Sequence, residues 1–365
     1  MTLHNLQALR GVACLMVVGF HLAGWETEGY GLRTPVIGAF KWFGFAGVDL
    51  FFALSGFIIA YTNARNLGRP AAVPGYLVRR LWRIYPTFWA AMFLAGLGYT
   101  VLLNHPVYAT GWQREWLHWL SLLPGEPANR YVAPAWTLTY EVMFYLAFAL
   151  VIALPPRVGA GLLAGWAVAV LALAPAWRPG GEPYAALATS PYILEFLGGC
   201  LVAWLIRRGV HGRGRTAALL GVAYAAAAVA AGKALTTEDW LTTVAREPVR
   251  VLMFGPAAVL IVYGLAAAEM RGTYRAPRWL RPVGDASYSI YLIHCAVGWH
   301  MVIYGAHLPH SRLPHVGWLV GTFAACVAAG FLLHFAVERP LLNLTKRKKA
   351  PPPVALETAP VRRAA

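Results

Sequence analysis

Apolar residues in this sequence come in runs of about 18 or more, long enough to cross a bilayer as helices. About ten such runs can be drawn, over residues 5–25, 44–63, 84–103, 132–153, 158–176, 190–206, 215–234, 249–268, 285–305 and 315–337. Short Arg-rich or Gly/Pro-rich breaks separate them. Lipid offers the backbone no hydrogen-bond partner, so a spanning chain must be helical or a closed barrel. The alternating strands of a barrel are absent. The expected fold class is all-α, a polytopic transmembrane helix bundle of about ten spans. Charged residues make up only 13% of the chain, against about a quarter in a soluble protein.

A net charge of +16 invites a nucleic-acid reading, but the placement of the charge argues against it. With ten spans, more than two-thirds of the 31 Lys and Arg fall on the side of the N-terminus. Arg246 and Arg250 are among the few assigned to the opposite side. The positive-inside rule then puts both termini in the cytoplasm, with attraction to anionic membrane lipids and no nucleic-acid partner. The first span is not read as a cleaved signal peptide, because its start lacks a basic region and Arg10 interrupts the apolar run. Cys14, Cys200, Cys295 and Cys326 each lie in an apolar span, without pairing or metal spacing, and read as small buried hydrophobes.

Residues 1–345 read as one membrane domain and residues 346–365 as a basic, Pro-rich, disordered cytoplasmic tail. The longest connection, about residues 104–131, carries Trp112, Trp116 and Trp119. It suits a lid or an interfacial helix on the outer side. No internal repeat is evident, and many secondary transporters are built from inverted repeats.

Ionisable side chains inside hydrocarbon are functional candidates by default. Arg10 and His21 share the first span, eleven residues apart. At about 100° and 1.5 Å per residue they face the same way, about 16 Å apart along the axis. Alternatively, Arg10 snorkels to the inner interface and His21 is a satisfied bundle histidine. Asp49 lies in GVDLFFALSGF at the outer end of the second span, where it could simply cap the helix. Arg80 and Arg83 of RRLWRIYP sit at the inner mouth of the third span and project from one face. They could clamp phosphates or merely anchor the helix. Thr137, Glu141 and Tyr145 form a polar stripe at i, i+4, i+8 that must face the bundle interior, as chemistry or as structural glue. Ser287, Tyr291 and His294 give another inward stripe, open to the same two readings. His300, His307, His310 and His315 cluster near an outer loop without carboxylates or Cys, so no metal site is expected.

At these residues the sequence resembles acyltransferase family 3, integral-membrane enzymes that acylate bacterial surface glycans, exopolysaccharides and some antibiotics. The pieces are LQALRGVACLMVVGFH at 6–21, GVDLFFALSGFII at 47–59, RRLWRIYP at 79–86, WTLTYEVMFYL at 136–146, GDASYSIYLIH at 284–294 and VERPL at 337–341. Each alone is weak; six in the family's order are specific. The fourth-span motif often carries two adjacent acids, whereas here Glu141 is followed by Val142. A single acid is similar to the branch associated with exopolysaccharide modification.

The resemblance implies a multi-pass protein of the bacterial inner membrane, with cytoplasmic acyl-CoA, acetyl-CoA by default, as donor. The acceptor would be a hydroxyl of a glycan or a lipid-linked saccharide. The residues fit that scheme. Arg10, Arg80 and Arg83 suit the CoA phosphates, and His21 is the natural base or acyl carrier. Glu141 or Asp49 would orient it. The rival from another class is a proton-coupled transporter of a small anion or acyl group.

Overall fold

The computed structural model describes residues 3–29, 36–103, 120–124, 132–177, 182–235, 240–305 and 312–344. The tail, most of the 104–131 connection, and His307 and His310 lie outside them. The described residues form helices α1 (His4–Gly29), α2 (Gly47–Asn63), α3 (Val73–Leu103), α4 (Trp136–Ala153), α5 (Pro156–Leu173), α6 (Pro183–Thr189), α7 (Ile193–Arg207), α8 (Gly214–Leu235), α9 (Trp240–Ala245), α10 (Glu247–Met270), α11 (Leu280–Gly305), α12 (Arg312–Leu333) and α13 (Arg339–Leu344). A π-helical turn, His334–Glu338, joins the last two.

Eight helices are long and apolar enough to cross a membrane, and the α6–α7 pair, bent by 40°, would make nine. The chain is a polytopic helical membrane protein. Among the described residues the count is thus eight or nine, against the ten runs drawn from sequence. Helix α11 has 26 residues, about 39 Å at 1.5 Å per residue. Ser287, Tyr291 and His294 on this helix are all buried, so the inward stripe read from the sequence does face the bundle.

One difference in boundary matters for function. Helix α3 begins at Val73, not near residue 84, and carries Pro86 inside it. Arg79, Arg80 and Arg83 are therefore within the helix, about two turns or more past its start, rather than at the mouth of the span. Hydropathy reads such charged turns as outside the membrane because it cannot see what they face.

Glycine sets how closely the helices meet. A Cβ on Gly284 of α11 would lie 1.9 Å from the carbonyl oxygen of Gln7 on α1. At the other end of the same pair, Trp25 covers Gly298, where a Cβ would meet the indole at 2.0 Å. Helices α2 and α7 touch the same way, with Gly56 against the Phe196 carbonyl and Gly199 against the Ala53 carbonyl. Small residues let backbones approach in lipid, where packing replaces the hydrophobic effect as the drive. Phe52, Phe144 and Phe196 stack beside that second contact, with centroids 4.7 and 4.6 Å apart.

Gly284→Ala is expected to destabilise the folded protein by about 1–3 kcal/mol, the usual cost of overpacking. Gly321→Ala on α12, where a Cβ would meet nothing within 4 Å, should be neutral or slightly stabilising. Equal thermal unfolding of the two variants in detergent would show the α1–α11 contact to be unimportant.

Candidate active site

A cavity of about 340 Å³ opens among α1, α2, α3, α4 and α11. Val48 and Thr62, near opposite ends of α2, both line it. They are fourteen residues apart, so the cavity runs about 21 Å along the helix. It is long and narrow. At the Thr62 end its wall carries Arg10, Arg80 and Arg83; further along come Ser55, Glu141 and Tyr145; Thr137 and Tyr291 lie at the Val48 end.

The cations in this wall are only partly matched. Arg80 donates from Nη2 to Thr62 Oγ1 at 3.0 Å and lies over the Tyr145 ring at 5.7 Å. Among the described residues neither Arg10 nor Arg83 is in an ion pair. Glu141 and Glu338 are within electrostatic reach of Arg10, and Arg83 is within reach of Glu338. Glu141 Oε1 accepts from Ser55 Oγ at 3.0 Å and from the Tyr145 hydroxyl at 2.5 Å. Glu338, buried on the π-helical turn, accepts from Ser289 Oγ at 2.7 Å and His334 Nδ1 at 2.8 Å. Two guanidiniums thus face the cavity without a carboxylate in contact, an arrangement suited to an anionic ligand.

His21 does not line this cavity. Its ring packs against His294 of α11, with centroids 5.0 Å apart and Nδ1 3.1 Å from His294 Nε2. His294 Nδ1 sits 2.8 Å from the Tyr291 carbonyl and 3.2 Å from that of Ile290. Carbonyls only accept, so that nitrogen carries the proton and Nε2 is left with a lone pair. His21 Nδ1 then donates to it, and to the Val17 carbonyl at 3.1 Å. With Nδ1 donating, a neutral His21 ring carries its lone pair on Nε2.

At the Val48 end the cavity wall carries a bar of two hydroxyls, one of them on the same helix as His294. The Tyr291 hydroxyl and Thr137 Oγ1 are 2.9 Å apart, and both reach the Pro134 carbonyl, at 3.3 and 3.0 Å. Tyr291 is three residues before His294, about 4.5 Å of helix rise.

The carboxylates are elsewhere than expected. Glu141 belongs to the cavity wall. Asp49 is fully buried and is taken by Arg250, whose Nη2 is 2.7 Å from Oδ2 and whose Nε is 3.1 Å from the same oxygen. It is an ion pair, not a helix cap. His294 fills the place beside His21 that a carboxylate was expected to hold. The sequence had marked His294 only as part of an inward stripe. Arg250, assigned from sequence to the outer side at the start of its span, is buried in the bundle.

His21 Nδ1, His294 Nε2 and Cys295 Sγ lie within 4.8 Å of one another and could together hold a metal ion. As built, the two nitrogens are joined by a hydrogen bond, and Cys295 Sγ is 3.4 Å from the same His294 nitrogen. His315 pairs with Glu26 at 2.9 Å, and His300 Nδ1 is 2.6 Å from the Ala296 carbonyl.

The sequence profile of a family described as "Acyltransferase domain" matches residues 3–334, which takes in both histidines, the three arginines and Glu141. The chain belongs to this acyltransferase family. Among its relatives are the exopolysaccharide production protein ExoZ of Rhizobium meliloti, 29% identical over 84% of this chain and 92% of that protein. The acyltransferase MdmB of Streptomyces mycarofaciens is 28% identical over 99% and 98%. The putative peptidoglycan O-acetyltransferase YrhL of Bacillus subtilis is 26% identical over 92% of this chain and 54% of its own. No solved structure matches the chain.

Membership makes the protein an enzyme of acyl transfer, and a multi-pass one. Both halves of such a reaction have a counterpart in the geometry just described. A cationic channel suits an anionic donor, and a neutral imidazole with a free nitrogen suits a hydroxyl acceptor.

Proposed function

We propose that this acyltransferase moves an acyl group, acetyl by default, from cytoplasmic acyl-CoA to a hydroxyl of a surface or exported glycan. It works in the bacterial inner membrane with both termini in the cytoplasm. The observation that carries the reading is the narrow cavity itself. It begins at two unpaired guanidiniums and ends one helical turn from the His294–His21 pair. The printed names of ExoZ and YrhL point to polysaccharide as the acceptor class.

In this scheme Arg10, Arg80 and Arg83 hold the donor's phosphates. The extended thioester arm runs along α2 past Glu141. Glu141 limits the repulsion between the guanidiniums and keeps them directed into the channel. His21 Nε2 takes the proton of the acceptor hydroxyl as its oxygen attacks the thioester carbonyl. The C–O bond forms, the C–S bond breaks, and the proton passes from Nε2 to the departing thiolate. His294 holds the ring in the tautomer that leaves Nε2 free. Asp49 acts at a distance from this chemistry, by fixing α2 through Arg250.

Acceptor-dependent release of free CoA thiol from acetyl-CoA by the purified protein in membranes is the direct test, since transport without transfer releases none. Arg83→Ala should raise the KM for acetyl-CoA at least about ten-fold, because a hydrogen bond to a charged group is worth about 1.5–3 kcal/mol. Its kcat should change less. An unchanged donor affinity in a thermal-shift titration would remove the clamp from the scheme.

A further inference from the structure

A second buried ionic cluster lies outside the reaction path, where α2, α4, α7 and α10 meet. Its charged and titratable members are Asp49 on α2, Tyr140 on α4, Tyr192 and Glu195 at the start of α7, and Glu247 and Arg250 on α10. Glu247 is satisfied at one edge, accepting from Tyr140 at 3.2 Å and from Ser190 Oγ at 2.5 Å. Arg250 is committed to Asp49 through Nε and Nη2, and Nη2 also donates to the Phe45 carbonyl at 2.9 Å. Its guanidinium is held between the rings of Phe45 and Tyr192, 5.0 and 5.3 Å away.

That leaves Glu195. It is 1% exposed, and among the described residues neither of its carboxyl oxygens meets a donor. The Asp49 carboxyl and the Arg250 guanidinium are both within electrostatic reach of it. Two ionised carboxylates cannot hydrogen-bond to each other, because neither has a proton to give. Helix α10 leaves room for the group: a Cβ on Gly255 would stand 3.3 Å from Glu195 Oε1. An ionised carboxylate buried there without a donor would carry a desolvation cost, and Arg250, already paired with Asp49, makes no hydrogen bond or ion pair with it to offset that cost.

We infer that Glu195 is a proton-holding site: it is a neutral carboxylic acid in the folded protein and donates its proton to Asp49. Asp49 then accepts from both Glu195 and Arg250, and the three groups together carry no net charge. The proton ties α7 and α10 to α2. One turn beyond Glu195, Gly199 lies against the α2 backbone. On α2 the same stretch presents Ser55 to Glu141 in the cavity wall. Removing the proton would set two carboxylates against each other at this seam, so the donor channel is built on a helix whose seat depends on a proton.

Infrared spectroscopy of the full-length protein in lipid is the test. The wild type should show the carbonyl stretch of a buried protonated carboxylic acid. Glu195→Gln should lose that band while keeping the unfolding temperature and transfer rate of the wild type, because the amide copies both the shape and the donor. Glu195→Asp should shift the band rather than remove it, which keeps the assignment readable if the Gln variant accumulates poorly. The inference is overturned if the wild-type band is absent or unaltered by both substitutions. It is equally overturned if sodium raises the unfolding temperature of the wild type but not of Glu195→Gln, since a bound cation would then be doing the proton's work.

Discussion

His21→Ala is expected to abolish acyl transfer, lowering kcat by about 10²–10⁴-fold, the range that a positioned base supplies. The protein should still insert and fold. The His21 ring touches His294, Phe20 and Trp25, and the close approach of Gly284 to Gln7 that holds α11 to α1 is untouched. His294→Ala should also slow turnover, by less, because the His21 ring stays but loses the acceptor that fixes its tautomer. The two losses should not add, since both act on one nitrogen. Normal turnover by a well-folded His21→Ala variant, read as acceptor-dependent CoA release, would end the assignment of His21.

Arg250→Ala is expected to have the largest effect on stability, about 3–5 kcal/mol, the usual result of stripping one partner from a buried ion pair. Asp49, fully buried, would be left against Glu195 with no cation near. The Phe45 carbonyl would lose its donor, and Phe45 and Tyr192 would lose the guanidinium between them. Equilibrium unfolding in mixed micelles reads this directly. A variant as stable as wild type would mean that Asp49 reaches water or another donor. Arg250→Lys should recover only part of the loss, because a single ammonium cannot serve Asp49 and Phe45 together in the same geometry.

The spans were legible because hydrocarbon imposes length and polarity on each helix separately. The same reasoning placed Arg10, Arg80, Arg83 and Glu141, each of which interrupts an apolar run, and the structure brings all four to one cavity. It failed where a residue's meaning comes from a partner far away in the chain. Arg250 lies at the edge of an apolar run, so a charge-sorting rule counted it with the outer side, yet its partner Asp49 is 201 residues earlier. Glu195 lies within a predicted span and carried the same signal as Glu141, an acid with nowhere to go, but it stands in no recognisable stripe. His294 was visible as an inward residue, and only the close approach of α1 and α11 shows that it meets His21. The start of α3 was misread for a related reason: a charged turn that lines an internal cavity has the composition of a loop.

The hydroxyl bar formed by Tyr291 and Thr137 has a consequence for the cell as a whole. A passage filled with water from one face of the membrane to the other would conduct protons and run down the electrochemical gradient that the membrane exists to keep. If the proposed donor channel ends at this pair, it is a blind alley, and the bilayer would stay insulating while a thioester is loaded. An acyl group can then cross to the far compartment without an open pore ever forming, provided the bar parts only around the arm that fills the gap.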